Sequence, residues 1–336
     1  MDDNKYMQRC LQLARIGEYY VAPNPMVGAV LVCRQGDDER IVGEGWHQQF
    51  GGPHAEVNCF SDAESHTDGS WSMHDCTLYV SLEPCSHWGK TPPCANLIIA
   101  KGVRRVVVGC LDPNPKVSGR GIQMLRDAGI EVIVGAEEKK CRSLNKRFMC
   151  LQEHHRPYVT LKWAETADGY IDKQRTSGSP VVISTPLTKQ LVHQQRAENM
   201  AIMVGTRTAL LDNPSLRTTR WSGRNPVRIV LDRHHVLPTD SKIFSADAET
   251  IVYSDHTEWD YILRDLAARN IHSVLVEGGA TLLNYIIQTG IYDEVHIEVS
   301  NQFISPDEMG VFAPSYRPKS MPGIVDGHRI YLDICK

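Results

Sequence analysis

Residues Thr77–Lys101 read TLYVSLEPCSHWGKTPPCANLIIAK. The apolar run Thr77–Ser81 predicts a buried strand, and Cys94–Lys101 predicts a helix. Between them Pro84, Gly89, Pro92 and Pro93 mark a turn-rich connection. Working outward, Val27–Cys33 and Val103–Cys110 predict further strands, Gly121–Ala128 a helix, and Ile130–Val134 one more strand. Tyr6, Met7, Cys10, Leu11 and Ala14 recur at helical spacing. Strands alternating with helices argue for an α/β layer fold.

The pattern breaks over Lys139–Pro157, which is polar and basic and holds His154-His155. A domain boundary is placed there, giving domains 1–148 and 156–336. Beyond it the strands predicted are Tyr158–Ala164, Ala201–Val204, Val227–Leu231, Ser273–Val276 and Glu294–Val299. Helices are predicted at Leu187–Glu198, Tyr261–Arg269 and Ala280–Gln288. The second half is also α/β and is no copy of the first.

The 336 residues suit two domains. With 42% hydrophobic and 23% charged residues, each half can bury its own core. The net charge of −4 argues for a small-molecule partner and against nucleic acid. No apolar run is long enough for a membrane span. The first thirty residues carry charges throughout and hold no apolar signal core, so a cytoplasmic protein is expected. The ten Cys do not read as a disulfide framework.

His54-Ala55-Glu56 opens a helix-like segment after Gly51-Gly52-Pro53. With Cys85 and Cys94 it supplies three zinc ligands, His54, Cys85 and Cys94, and leaves a fourth position for water. Zinc lowers the pKa of such a water towards neutrality. Glu56, two residues from a ligand, can take the water's proton and pass it on, the role of a catalytic acid–base. Zinc deaminases carry His-x-Glu followed by Pro-Cys-x-x-Cys. Here eight residues, Ser86–Pro93, separate the two Cys. Cys85 must then end a strand or loop, and Cys94 must start the helix, where a thiolate is favoured. Two readings compete: a closed structural zinc site with His87 or Cys59 as fourth ligand, and core cysteines without metal.

The residues between these positions sharpen the choice. Pro23–Gly28 (PNPMVG), His54–Glu56, Leu82–Cys94 (LEPCSHWGKTPPC) and Asp112–Gly121 (DPNPKVSGRG) closely resemble the bifunctional riboflavin-biosynthesis deaminase/reductase family. The eight-residue Cys spacing is that family's own. The resemblance runs over roughly residues 4–332 and is patchier in the second half. It implies a cytidine-deaminase-like three-layer domain followed by a dihydrofolate-reductase-like α/β domain. It also implies two reactions. The ring amino group of 2,5-diamino-6-ribosylamino-4(3H)-pyrimidinone 5′-phosphate is hydrolysed, and NADPH then reduces the ribosyl group to ribityl. By the same resemblance Asn24, Lys90, Asp112 and Asn114 contact substrate in the first half, and a homodimer or higher homo-oligomer is expected. Asp-Pro-Asn-Pro at 112–115 is also ordinary turn chemistry.

The second half lacks a Gly-x-Gly-x-x-Gly after a strand, against a Rossmann cofactor site. Its Glu277-Gly278-Gly279 lies between strand and helix, where a phosphate can meet backbone N–H groups. Resemblance assigns Ala164, Thr208, Asp212, Gly279, Ala280 and Thr281 to NADPH, within a segment reaching Tyr285. It assigns Arg196, Leu216, Arg220 and Glu277 to substrate. Lys162 and Asp168 flank the first strand and are expected near the reaction centre. After Ser177-Gly178 the family has a Ser and a Trp where this chain has Pro180 and Val182. A different reading keeps the deaminase for another nucleoside or base, with a degenerate second half. Another makes the protein a zinc-stabilised sensor with four protein ligands.

Overall fold

The computed structural model describes residues 2–36, 38–67, 69–88, 92–114, 118–304 and 309–335. Helix α1 (Asp3–Ile16) comes first, its N-terminus capped by the Asp2 side chain. Strands β1 (Gly28–Gln35) and β2 (Asp38–Trp46) follow, then α2 (Ala55–Ser65), β3 (Cys76–Leu82), α3 (Cys94–Lys101) and β4 (Arg105–Cys110). Helix α4 (Arg120–Asp127), β5 (Glu131–Val134), α5 (Glu138–Leu144) and α6 (Lys146–His154) complete a unit spanning Met1–His154.

Its sheet runs β2-β1-β3-β4-β5. β1 is antiparallel to β2 and β3, while β3, β4 and β5 are parallel. Both faces are covered, so the central strands β3 and β4 are buried along nearly their whole length and are mostly apolar. Leu31, Leu78, Val80, Val106 and Val108 face α2, α3 and α4, packing on Phe60, Ile98 and Leu125. Val30, Val32, Tyr79 and Val107 face α1, α5 and α6, packing on Met7, Cys141 and Met149. This is the three-layer arrangement expected of the first half.

Two stretches of the first unit escaped the sequence reading. β2 is an edge strand whose outer residues are charged and whose inner positions include Gly43 and Gly45. A Cβ on Gly45 would stand 2.3 Å from the Cys59 backbone N and 2.5 Å from the Ala55 carbonyl oxygen. The bare backbone therefore lets α2 lie flat against the sheet. The second is a correction: Lys139–Pro157 is no break but mostly the helices α5 and α6. Their buried residues are few, Cys141 on one and Met149, Cys150 and Leu151 on the other, so apolar periodicity was too short to register.

The second unit spans His155–Lys336. In order it holds β6 (Tyr158–Glu165), β7 (Tyr170–Lys173), α7 (Pro186–Glu198), β8 (Ala201–Val204), α8 (Thr206–Asp212), β9 (Val227–Leu231) and β10 (Thr250–Tyr253). Then come α9 (Trp259–Ala268), β11 (Ser273–Val276), α10 (Ala280–Thr289), β12 (Glu294–Val299), β13 (Gly310–Phe312), β14 (Gly323–Val325) and β15 (His328–Ile334). The sheet order is β10-β9-β8-β11-β6-β12-β15-β14, with β13 and β7 paired separately. Strands from β10 to β12 are parallel, and β15 runs antiparallel to β12 and β14. Trp259, Ile262, Leu266, Leu283 and Ile286 of α9 and α10 pack on Leu161, Met203 and Val276. The sequence showed the five buried parallel strands; the short or half-exposed β7, β10, β13, β14 and β15 gave no comparable run.

Candidate active site

In the first unit His54 is the N-cap of α2, and Cys94 begins α3. Cys85 lies three residues past the end of β3. Placing the site where a parallel strand ends and helices begin is the general habit of open α/β sheets. His54 Nδ1 lies 3.3 Å from Cys94 Sγ and 3.7 Å from Cys85 Sγ. One ligand atom from each residue falls within 4.8 Å of the others. Tetrahedral zinc with N and S ligands at about 2.0–2.3 Å separates those atoms by about 3.5–3.8 Å, so the trio fits the ion. Cys59 instead points its thiol at the Gly43 carbonyl, 3.4 Å away, and His87 is exposed. Neither joins the cluster as a fourth ligand.

The electrostatics suit a metal site. The Cys94 thiol, then His54 and the Cys94 N–H at 3.2 Å, draw the Cys85 thiol down to about 4. Cys94, facing that thiolate, is pushed up. Glu56 sits in the first turn of α2, 3% exposed. Burial raises its pKa against the pull of His54, and it bonds towards Cys94. A carboxyl of raised proton affinity beside a metal-ligand cluster is equipped to carry a proton.

Asn24 reaches the same region through a residue the sequence reading missed, His47. His47 Nδ1 lies 2.9 Å from the Pro53 carbonyl, so it carries the proton. Its Nε2 then accepts from Asn24 Nδ2 at 3.0 Å. The Asn24 amide oxygen is thereby left to accept from a bound molecule. The His47 and His54 rings meet edge to face at 5.6 Å. His47 follows β2, and without recognition of that strand nothing in the sequence pointed to it. Asp112 is half-buried, its carboxyl pushed up to about 6 by burial, and it accepts the Asn114 N–H at 2.8 Å. Lys90 lies outside the described residues.

In the second unit a cavity of about 670 Å³ opens beside α8 and α10. Thr208, Asp212, Gly279, Ala280, Thr281 and Tyr285 line it, and Ala164 does not. Asp212 pairs with Arg175, a buried side chain that also holds Asp172 at 2.7 Å. Arg207 and Arg233 add positive charge to the wall, and His234 also lines it. Arg175, Arg233 and His234 did not stand out in the sequence, because isolated Arg and His are usually solvated surface.

The expected substrate residues fall partly together. Arg196 grips Glu277 with both arms, at 2.8 and 2.7 Å, and also donates to the Arg217 carbonyl. Its guanidinium is thus directed at a carboxylate rather than left open as a fork for phosphate. Lys162 is level with His296 on β12 and feels Glu277, Glu298 and Arg196. Burial lowers its pKa. Arg220 is exposed and near His193, whose ring accepts the Thr219 N–H. The Leu216 side chain is buried in the core with Ile202 and Val230, which leaves its backbone for any contact. Asp168 accepts from the Ile304 N–H at a turn after β6. Where the family has Trp, Val182 stands exposed; two residues on, Ser184 donates to Glu298 at 2.6 Å.

A cytidine-deaminase-like domain with a His, two Cys and a Glu, joined in one chain to a dihydrofolate-reductase-like domain, defines a two-domain zinc deaminase/reductase. Residues 1–110 match the family model described as the cytidine and deoxycytidylate deaminase zinc-binding region, and 157–304 match the RibD C-terminal domain. Riboflavin biosynthesis protein RibD of Aquifex aeolicus is 38% identical, over 92% of this chain and 88% of its own. That of Escherichia coli is 35% identical, over 93% and 91%. The crystal structure of a diaminohydroxyphosphoribosylaminopyrimidine deaminase/5-amino-6-(5-phosphoribosylamino)uracil reductase from Thermotoga maritima superposes with a TM-score of 0.86 at 37% identity, covering 98% of both chains. The chain belongs to the RibD family of riboflavin biosynthesis proteins.

Proposed function

We infer that the first unit deaminates 2,5-diamino-6-ribosylamino-4(3H)-pyrimidinone 5′-phosphate and that the second reduces the product's ribosyl group to ribityl with NADPH. The observation that carries this is the cluster His54, Cys85 and Cys94, three ligands and no fourth among the described residues, with Glu56 beside it. Zinc bound there supplies a Lewis acid and an activated water. Glu56 takes up a proton and returns it to the departing amino group. Asn24, oriented by His47, accepts a hydrogen bond from the pyrimidine, and Asp112 and Asn114 hold its ribose phosphate side.

In the second unit the backbone at Gly279–Thr281, at the N-terminus of α10 and lining the cavity, would hold a phosphate group of NADPH. Arg207 and Arg233 would supply the cations that a ribose 2′-phosphate needs. Lys162, whose proton affinity burial lowers, would supply a proton to the ribosyl group during its reduction. Free thiols at all ten cysteines suit a reducing compartment, the cytoplasm. No helix among the described residues is long and apolar enough to cross a membrane. Leu332 and Ile334, exposed on one side of β15, support self-association.

The test is a coupled assay. Purified protein should release ammonia from the diaminopyrimidine and oxidise NADPH only after deamination. Protein loaded with zinc that leaves this substrate unchanged rules the reading out. Arg233→Ala should raise KM for NADPH about tenfold or more, the effect of a lost charge-assisted hydrogen bond, while KM for NADH stays constant. An equal rise for both cofactors removes Arg233 from phosphate recognition.

A further inference from the structure

Glu83 is 4% exposed, and the reading above gives it no task. A buried carboxylate is costly unless its oxygens are satisfied, and three backbone N–H groups satisfy this one. Oε2 accepts from Asp112 at 3.3 Å and from Gly119 at 3.0 Å, and Oε1 accepts from Gly121 at 3.1 Å. Asp112 opens the segment that follows β4, and Gly119 and Gly121 close it at the start of α4. One carboxylate therefore holds both ends of the segment that carries Asp112 and Asn114. Its own backbone is tied to β4, since the Glu83 N–H donates to the Cys110 carbonyl at 2.9 Å. The fit is close on the far side too: a Cβ on Gly121 would stand 2.1 Å from the Pro84 carbonyl oxygen. Glu83 and Pro84, next to Cys85, are thus packed directly on Asp112, Gly119 and Gly121.

We propose that Glu83 is a positioning residue for deamination, its carboxylate clamping both ends of the segment that presents Asp112 and Asn114 to the substrate. The inference rests on the reading that Asp112 and Asn114 hold the ribose phosphate side. That side is remote from the reacting carbon, so misplacing it weakens ground state and transition state alike and raises KM more than it lowers kcat. An amide cannot satisfy all three donors, because Glu83→Gln turns an NH2 group either towards the Gly121 N–H or towards the Asp112 and Gly119 N–H groups.

The experiment compares Glu83→Gln and Asn114→Ala with the unaltered full chain. It records kcat and KM for ammonia release, zinc per chain, and NADPH oxidation on the deaminated intermediate. The last reports on folding of the second unit. Expected for Glu83→Gln are a KM raised about tenfold or more, kcat within about threefold, and zinc and reductase activity unchanged. An unchanged KM in Glu83→Gln beside a raised KM in Asn114→Ala overturns the inference and leaves the reading standing. An unchanged KM in Asn114→Ala defeats the reading itself. Loss of zinc from Glu83→Gln also overturns the inference, because Glu83 then supports Cys85 and not the segment. Should Glu83→Gln not fold, Glu83→Asp replaces it. A carboxylate one methylene shorter cannot stand where all three N–H groups now meet it, so a raised KM supports the clamp and a normal one sinks it.

Discussion

Glu56 owes its chemistry to where the helix puts it. In the first turn of α2 and buried, it holds a proton more tightly than a surface carboxyl. Glu56→Gln keeps the shape and removes the proton exchange. Zinc content should stay at the wild-type level while ammonia release falls about 10²–10⁴-fold, the usual worth of a general acid–base; turnover at the normal rate would take Glu56 out of its role. A different buried group, His272, bears on stability. Burial, with Arg224 adding to it, brings its pKa to about 4, from an ordinary value near 6.5. The folded state thus keeps the imidazole neutral where the unfolded chain binds a proton. Its contribution is complete above pH 6.5 and is lost as pH falls towards 4, on the order of 3 kcal/mol in all. His272→Gln should flatten the decline of Tm between pH 6.5 and 4, and an unaltered slope would remove His272 as its cause. At this scale the sequence showed the metal ligands and Glu56, because their chemistry demands rare residue types at fixed spacing. It hid His47 and Arg175, whose work depends on partners distant in sequence.

Elements were legible in proportion to how completely they are buried. β3 and β4, covered on both faces, read directly as apolar runs. β2 did not, since an edge strand shows one buried side and here that side is partly glycine. Yet β2 governs the site: Gly43 and Gly45 let α2 approach, and α2 carries His54 and Glu56. The neighbours that crowd Gly45 are backbone atoms, which cannot swing aside. Gly45→Ala should therefore push α2 outward, cost about 1–3 kcal/mol in the stability of the first unit, and lower ammonia release. NADPH oxidation on the deaminated intermediate should be untouched. Retention of full deaminase activity together with the wild-type melting temperature would show that α2 has slack this packing does not reveal.

The whole molecule is two units, each with its own core and sheet. Composition indicated two domains, but the boundary was blurred because α5 and α6 bury few side chains and resemble a linker in sequence. The reductase residues were less legible than the zinc ligands for a related reason. A cofactor cavity is a surface shaped by backbone and scattered polar groups, whereas a metal site concentrates its signal in three or four positions. This difference predicts how the molecule responds to metal removal. The ligands His54, Cys85 and Cys94 all belong to the first unit, while the residues lining the 670 Å³ cavity all belong to the second. Zinc binds only the folded site, so it stabilises the first unit by mass action, and stripping it removes that increment. A chelator should abolish ammonia release and lower the melting temperature of the first unit. NADPH oxidation on pre-deaminated substrate should stay within about twofold of its starting rate, since no group in that cavity is a ligand. Added zinc should restore ammonia release. A parallel loss of both activities that zinc reverses would mean that the reductase depends on the metal-bound first unit, and the assignment of each reaction to its own unit would fail.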